Sequence, residues 1–178
     1  MSLRLSNGLM AGLAMAVLLG GCASAPAADA GTDAAMATTT FFVVRHAEKA
    51  GGGSDPSLSP AGQARAQMLA RHVGQPLRAA YATAYRRTQE TALPAAQAQG
   101  VAVTTYDANM PAPDFAAQLR RDHVGDQVLV VGHSNTAPQI AAALCGCEVA
   151  PMADSEFNRL MKITVERDGR ATLREERY

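Results

Sequence analysis

Two of the four histidines in this 178-residue chain follow apolar runs, and each stands among residues that handle anions. Thr40-Phe41-Phe42-Val43-Val44 leads into Arg45-His46-Ala47-Glu48-Lys49, and Gln127 to Val131 leads into Gly132-His133-Ser134-Asn135-Thr136. Between them, Leu77 to Thr83 runs on into Tyr85-Arg86-Arg87, which adds two more guanidiniums. Guanidiniums and imidazoles converging on one crevice select an oxyanion, and phosphate is the common one. A neutral imidazole can also attack phosphorus and carry the group covalently. Residue types alone therefore suggest phosphoryl binding, or phosphoryl transfer through a histidine.

For these residues to meet, the segments before them must end on one side of a sheet. The unbroken apolar run at 40–45 fits a strand buried on both faces. Residues 50–57 are Gly-rich loop, and Ser59-Pro60 supplies an N-cap and a first-turn proline. The helix they open is expected to reach about Val73, with Ala64, Met68, Leu69 and His72 along one side. A strand over 77–83 precedes a helix over 86–99, in which Pro94 costs about 3 kcal/mol unless the helix kinks or restarts there. A strand over 101–105, a helix over 114–124, a strand over 127–131 and a helix over 136–144 follow. Asp168-Gly169 then joins strands over 160–165 and 171–174 as a hairpin. This alternation predicts a three-layer α/β/α sandwich with a mostly parallel central sheet. In such sheets the ligand sits beyond the carboxyl ends of the strands.

Taken in order, the motifs resemble those of the histidine phosphatase (phosphoglycerate mutase-like) superfamily, in its small single-domain branch. Arg45-His46 is similar to its Arg-His motif, and Leu58-Ser59-Pro60-Ala61-Gly62 to the helix opening that follows. Thr83 to Ala92 is similar to the second Arg motif, whose catalytic Arg stands four residues before a Thr-Ala pair. That spacing selects Arg87, with Thr91-Ala92 as the pair and Arg86 as the variable neighbour; Thr83 replaces the more usual Ser. Val131-Gly132-His133-Ser134 is similar to the second His motif. The resemblance runs from about Phe41 to Val165.

It implies a phosphoglycerate mutase-like fold and a metal-independent phosphatase acting on phosphomonoesters or phosphohistidine-type substrates, with no cofactor. By the resemblance, His46 is the nucleophile that becomes phosphohistidine. Arg45, Arg87 and His133 would bind the substrate phosphate, holding the three equatorial oxygens of the transferring group. Many members of the family use a Glu or Asp to protonate the leaving oxygen, and here Asp107 and Glu48 are the candidates. Small phosphohistidine phosphatases of the family manage without an obvious donor, because an imidazole or phenol leaves easily. Two alternatives stand beside this reading. One is a phosphate-binding protein without turnover. The other is a mutase-type phosphotransferase, against which speak the short folded part and the lack of a second basic cluster.

The remaining polar residues have plainer readings. His72 and His123 fall near helix C-termini, where the dipole favours a cation, and read as structural. Arg86, Arg120, Arg121 and residues 174–178 read as solvated surface. Gly132-His133-Ser134-Asn135-Thr136 lacks the last Gly of a serine-hydrolase elbow. Cys145-Gly146-Cys147 reads as two small buried thiols, with a disulfide or half a metal site as alternatives.

Composition sets the outer limits. Hydrophobic residues make up 48% of the chain, with 16 basic and 16 acidic side chains and no Trp. Ala dominates the apolar set, so the core must be finely packed with few large anchors. Zero net charge gives no overall field for a polyanion, so nucleic-acid binding is not expected. No feature specifies an oligomeric state. At the start, Arg4, the apolar stretch Leu9 to Leu19, and Leu19-Gly20-Gly21-Cys22 resemble a signal peptide (1–21) ending in a lipobox. The apolar stretch is too short to span a bilayer. Lipid on Cys22 would then tether an exported protein to the periplasmic side of a bacterial membrane. Ordinary cleavage after Ala25 or Ala30, giving a soluble exported protein, is the alternative. Residues 22–39 are small and polar and read as a flexible tether, leaving 40–178 as the phosphatase domain.

Overall fold

The computed structural model describes residues 38–74 and 76–178. The expected signal peptide, the lipid site at Cys22 and nearly all of the tether lie outside the described residues. Ten elements follow in order: β1 (Thr39–Arg45), α1 (Pro60–Val73), β2 (Ala79–Ala82), α2 (Arg86–Ala98), β3 (Val103–Thr105), α3 (Ala112–Asp122), β4 (Gln127–Gly132), α4 (Ala137–Cys145), β5 (Arg159–Val165) and β6 (Ala171–Arg177). They form one six-stranded sheet in the order β3-β2-β4-β1-β5-β6. β3, β2, β4 and β1 pair in parallel, and β5 and β6 add an antiparallel edge. The hairpin expected at Asp168-Gly169 is present, with Gly169 at φ 85°. Thr39, assigned from sequence to the tether, is instead buried in β1 opposite Val165. Among the described residues no helix is long and apolar enough to cross a membrane.

The period-2 alternation of the central strands divides the core into two layers. Phe41, Val43, Val128 and Val130 face α3 and α4, against Phe115, Leu119, Ile140 and Leu144. Phe42, Val44, Leu129 and Val131 face α1 and α2, against Leu69, Ala92, Ala95 and Ala96. The three-layer sandwich is therefore as expected. Helix α2 continues through Pro94 without a break. Burial of Ala92, Ala95 and Ala96 beside it offsets the lost backbone bond.

Helix α1 starts where expected, with Ser59 Oγ accepting from the Gly62 amide at 3.1 Å. Its buried face differs from the expectation. Gly62, Ala66, Leu69 and Val73 point inward, whereas Ala64, Met68 and His72 are exposed. The reason is a close approach that no periodicity reveals. A Cβ on Gly62 would lie 2.1 Å from the Glu48 carbonyl oxygen, so only glycine lets α1 sit on the segment that carries His46. Gly-to-Ala in a helix normally stabilises by about 1 kcal/mol. Here the clash is with backbone and should win. Gly62→Ala is expected to lower stability by about 1–3 kcal/mol, the usual cost of overpacking. Denaturant unfolding checks this, and a more stable variant would contradict it.

Candidate active site

The parallel pairing of β1 with β4 sets Arg45 opposite Gly132, so both strands deliver their next residues to one edge. The His46 amide continues the ladder by donating to the Gly132 carbonyl at 2.9 Å. The imidazoles of His46 and His133 then lie 5.5 Å apart, edge to face. Beyond β2, the turn at 83–85 opens α2 and brings Arg87 to the same place. A cavity of about 390 Å³ results, lined by Arg45, His46, Arg87 and His133 together with Lys49 and Asn109 at its rim. Four of the residues selected from sequence are thus brought together.

Each is held from behind. The carbonyl of Ala47 accepts from His46 Nδ1 at 2.8 Å. Since a carbonyl can only accept, Nδ1 carries the proton and Nε2 keeps its lone pair. Thr91 explains the Thr-Ala pair of the motif. Its hydroxyl donates to the Arg87 carbonyl at 2.6 Å and accepts from the Ala47 amide at 3.0 Å, pinning the His46 segment to α2. Thr83 and Thr88 do the same for His133. The Thr88 hydroxyl donates to the Tyr85 carbonyl at 2.7 Å, so its 2.8 Å contact with Thr83 must be one in which Thr83 donates. Thr83 Oγ1 then accepts from His133 Nε2 at 3.1 Å. The Thr at this position therefore supplies the hydroxyl that orients His133. Gly132 has no room for a side chain, because a Cβ would meet Thr136 Oγ1 at 2.9 Å and the Tyr106 hydroxyl at 3.1 Å.

Arg45 has a support that the sequence reading missed. Its guanidinium lies 4.2 Å over the Phe157 ring, and Nη1 donates to the carbonyls of Ala153 and Asp154 at 3.1 and 2.8 Å. Its Nε is buried and has no hydrogen-bond partner among the described residues. Arg87 stacks on Tyr85 at 4.3 Å, with Asp55 3.8 Å from its Nη1. The only sequence signal for Phe157 was its isolation among small and polar residues.

Neither candidate proton donor lines the cavity. Glu48 is turned away, bound side-on by Arg65 at 2.8–2.9 Å, and that pairing holds its carboxyl below the usual range. Asp107 is exposed and caps its own turn, accepting from the Asn109 amide at 2.9 Å. Its position is in a neighbouring cavity with Ala84 and Thr105. Among the described residues, those lining the cavity include no carboxylate, and the acid nearest Arg87 that its contacts show is Asp55, 3.8 Å from Nη1.

His72 and His123 are structural, as read. His72 Nε2 meets Glu176 at 2.8 Å, and His123 bridges the Tyr81 hydroxyl and Asp126. The tail is less solvated than expected, because Tyr178 is half-buried and donates to the Phe157 carbonyl. Arg120 likewise reaches the carbonyls of Leu144 and Gly169. Cys145 and Cys147 are joined in a disulfide and are not buried thiols. Gly146 at φ 63° reverses the chain and lets the two sulfurs meet.

Burial pushes His46 down to about 4, with Arg45, His133 and Arg87 adding to the effect and the Ala47 hydrogen bond opposing it. His133 falls to about 4 for the same reason, with Arg87 and Arg45 adding. Both imidazoles are neutral at neutral pH, so His46 is a competent nucleophile. The stability consequence has a definite sign. The unfolded chain binds protons at these residues near pH 6.5 and the folded chain only near pH 4. Their contribution is therefore complete above pH 6.5 and is lost as pH falls through 4. The expected result is a melting temperature that drops between pH 6.5 and 4.5, above the range where carboxylates titrate. A double variant with His46→Asn and His133→Asn should show a flatter profile; an equal slope would contradict it.

The sequence model of the histidine phosphatase superfamily (branch 1) matches residues 41–110, which carry the Arg-His motif and the second Arg motif. Among solved structures, the chain is similar to the protein histidine phosphatase SixA complexed with tungstate. The identity is 16%, with 78% of this chain and 96% of that one covered and a TM-score of 0.62. It is similar to a mycobacterial glucosyl-3-phosphoglycerate phosphatase at 15% identity, covering 76% and 97%, with a TM-score of 0.59. It is similar also to Bacillus stearothermophilus YhfR at 17% identity, covering 78% and 96%, with a TM-score of 0.59. No curated protein sequence matches the chain. The fold is that of these phosphatases.

Proposed function

We propose that this chain, which resembles the histidine phosphatase superfamily in its ordered motifs and its fold, is a metal-independent phosphatase working through phosphohistidine on His46. The observation that carries this reading is the arrangement around one cavity of a neutral imidazole, with its Nε2 lone pair free, and two guanidiniums. His46 Nε2 attacks phosphorus, a phosphorus–nitrogen bond forms, and the leaving group departs with its electron pair. Arg45 and Arg87 hold the phosphoryl oxygens and stabilise the charge spread over them in flight. Water then attacks phosphorus, the bond to Nε2 breaks, and inorganic phosphate leaves with His46 restored. A bound dianion also favours protonation of His133, which turns its Nδ1 into a third donor. Tungstate, the tetrahedral oxyanion bound by the solved SixA structure, is a natural probe of this cradle.

Among the described residues the cavity lining holds no carboxylate, and this narrows the substrate class. A strongly basic alkoxide needs a proton as it leaves, whereas a phenoxide, an imidazole or an acyl group does not. Phosphate release from a phenyl phosphate in excess EDTA is therefore expected, with an alkyl phosphate turned over at least about 10²-fold more slowly, the usual contribution of an acid. Equal rates on the two would overturn the substrate class. No release from either would favour a phosphate-binding protein.

A further inference from the structure

We infer that the phosphoryl cavity continues into a leaving-group pocket that takes an uncharged aryl group, which rests on the function proposed above. A second cavity of about 440 Å³ adjoins the first and shares Ser134 and Asn135 with it. That volume lies within the range of small-molecule sites. Pro138 and Ala142 of α4 form one wall, and Val149 and Met152 of the following loop form the other. None of its lining side chains carries a charge. Ser134 and Asn135 line both spaces, so the apolar pocket adjoins the place where Arg87 and His133 would hold a phosphoryl group.

Another space adjoins the phosphoryl cavity and shares Tyr85, Ala108 and Asn109 with it. It is a poorer exit, because the Asp107 carboxylate lines it and would repel an anionic substrate. The apolar pocket is also braced before any ligand arrives. The Cys145–Cys147 disulfide closes the end of α4 beside Ala142. The Arg159 guanidinium gathers the carbonyls of Ala150 and Pro151 on the loop. Arg45 itself holds the next carbonyls, so the pocket wall and the phosphoryl cradle form one continuous assembly. Two separate features thus select the same chemistry. The missing carboxyl acid demands a weakly basic leaving group, and the uncharged pocket accepts an apolar ring.

The test compares methylphosphonate with naphthylmethylphosphonate, neither of which can be hydrolysed, by calorimetric titration of the whole protein. The naphthyl compound is expected to bind about 10- to 50-fold more tightly, from withdrawing its rings from water. Ala142→Phe, which fills the pocket, should abolish that difference and leave methylphosphonate affinity unchanged. Ala142→Leu, a smaller filling, should reduce it in the same direction. Retained methylphosphonate binding shows that each variant is folded at the site. Equal affinity of the parent for both compounds would overturn the pocket while leaving the phosphatase reading intact. Binding of neither would overturn the phosphoryl site itself, and the pocket with it.

Discussion

Alanine in place of His46 is expected to lower the turnover of a phenyl phosphate by a factor on the order of 10⁶, the scale seen when the nucleophile of a covalent mechanism is removed. The substitution takes away the imidazole whose Nδ1 proton is fixed on the Ala47 carbonyl and whose Nε2 lone pair is free to attack. It leaves the local fold in place, because the link to β4 runs through the residue 46 amide and the Gly132 carbonyl. It also removes a buried imidazole that is held neutral against its usual titration. The variant should therefore remain folded, and its melting temperature at pH 7 serves as the control. Oxyanion binding should persist, since Arg45, Arg87 and His133 remain. Activity within about tenfold of the parent would remove His46 from the role assigned to it.

The second large effect belongs to Arg87. Deleting one preorganised donor to a developing charge costs about 10²–10³ in rate, or roughly 2.7–4 kcal/mol. Arg87→Ala is the cleaner probe of the two guanidiniums. Arg45 also ties down the carbonyls of Ala153 and Asp154, so its removal would free the loop that walls the site. Arg87 has no such structural duty: its contacts are the Tyr85 ring and a carboxylate 3.8 Å away at the rim. Arg87→Lys keeps the charge but loses the planar fork and its stacking on Tyr85. It should recover only part of the loss. Steady-state kinetics on a phenyl phosphate checks both variants, and full activity of Arg87→Ala would mean that phosphate binds elsewhere.

Much of this site could be read from the chain, for a physical reason. β1 and β4 are buried on both faces, so they appear as unbroken apolar runs, and the residues that follow them must emerge at one sheet edge. The placement of His46 and His133 at that edge was therefore legible from position as well as type, whereas Arg87 was told from Arg86 only by the motif it resembles. The supports were not. Phe157 under Arg45 and the carbonyls of Ala153 and Asp154 come from an irregular loop whose path no periodicity encodes. The face of α1 was misread because an Ala-rich helix has little contrast between its sides. The contact between Gly62 and Glu48 then fixed its rotation. Glu48 and Asp107 both had suitable chemistry, and only three-dimensional placement shows one bound to Arg65 and the other outside the cavity. The Cys145–Cys147 bond depended on the left-handed conformation of Gly146, which the sequence allows but does not demand.

The most direct test of the central claim is to trap the intermediate. The protein would be mixed with a phenyl phosphate carrying radiolabelled phosphorus, quenched within its first turnovers in alkali, and mapped by peptide sequencing. The account predicts label on His46, stable in alkali and released by acid as expected of a phosphorus–nitrogen bond, and no label in His46→Ala. Label that survives acid, label on another residue, or turnover without any labelled protein would contradict it.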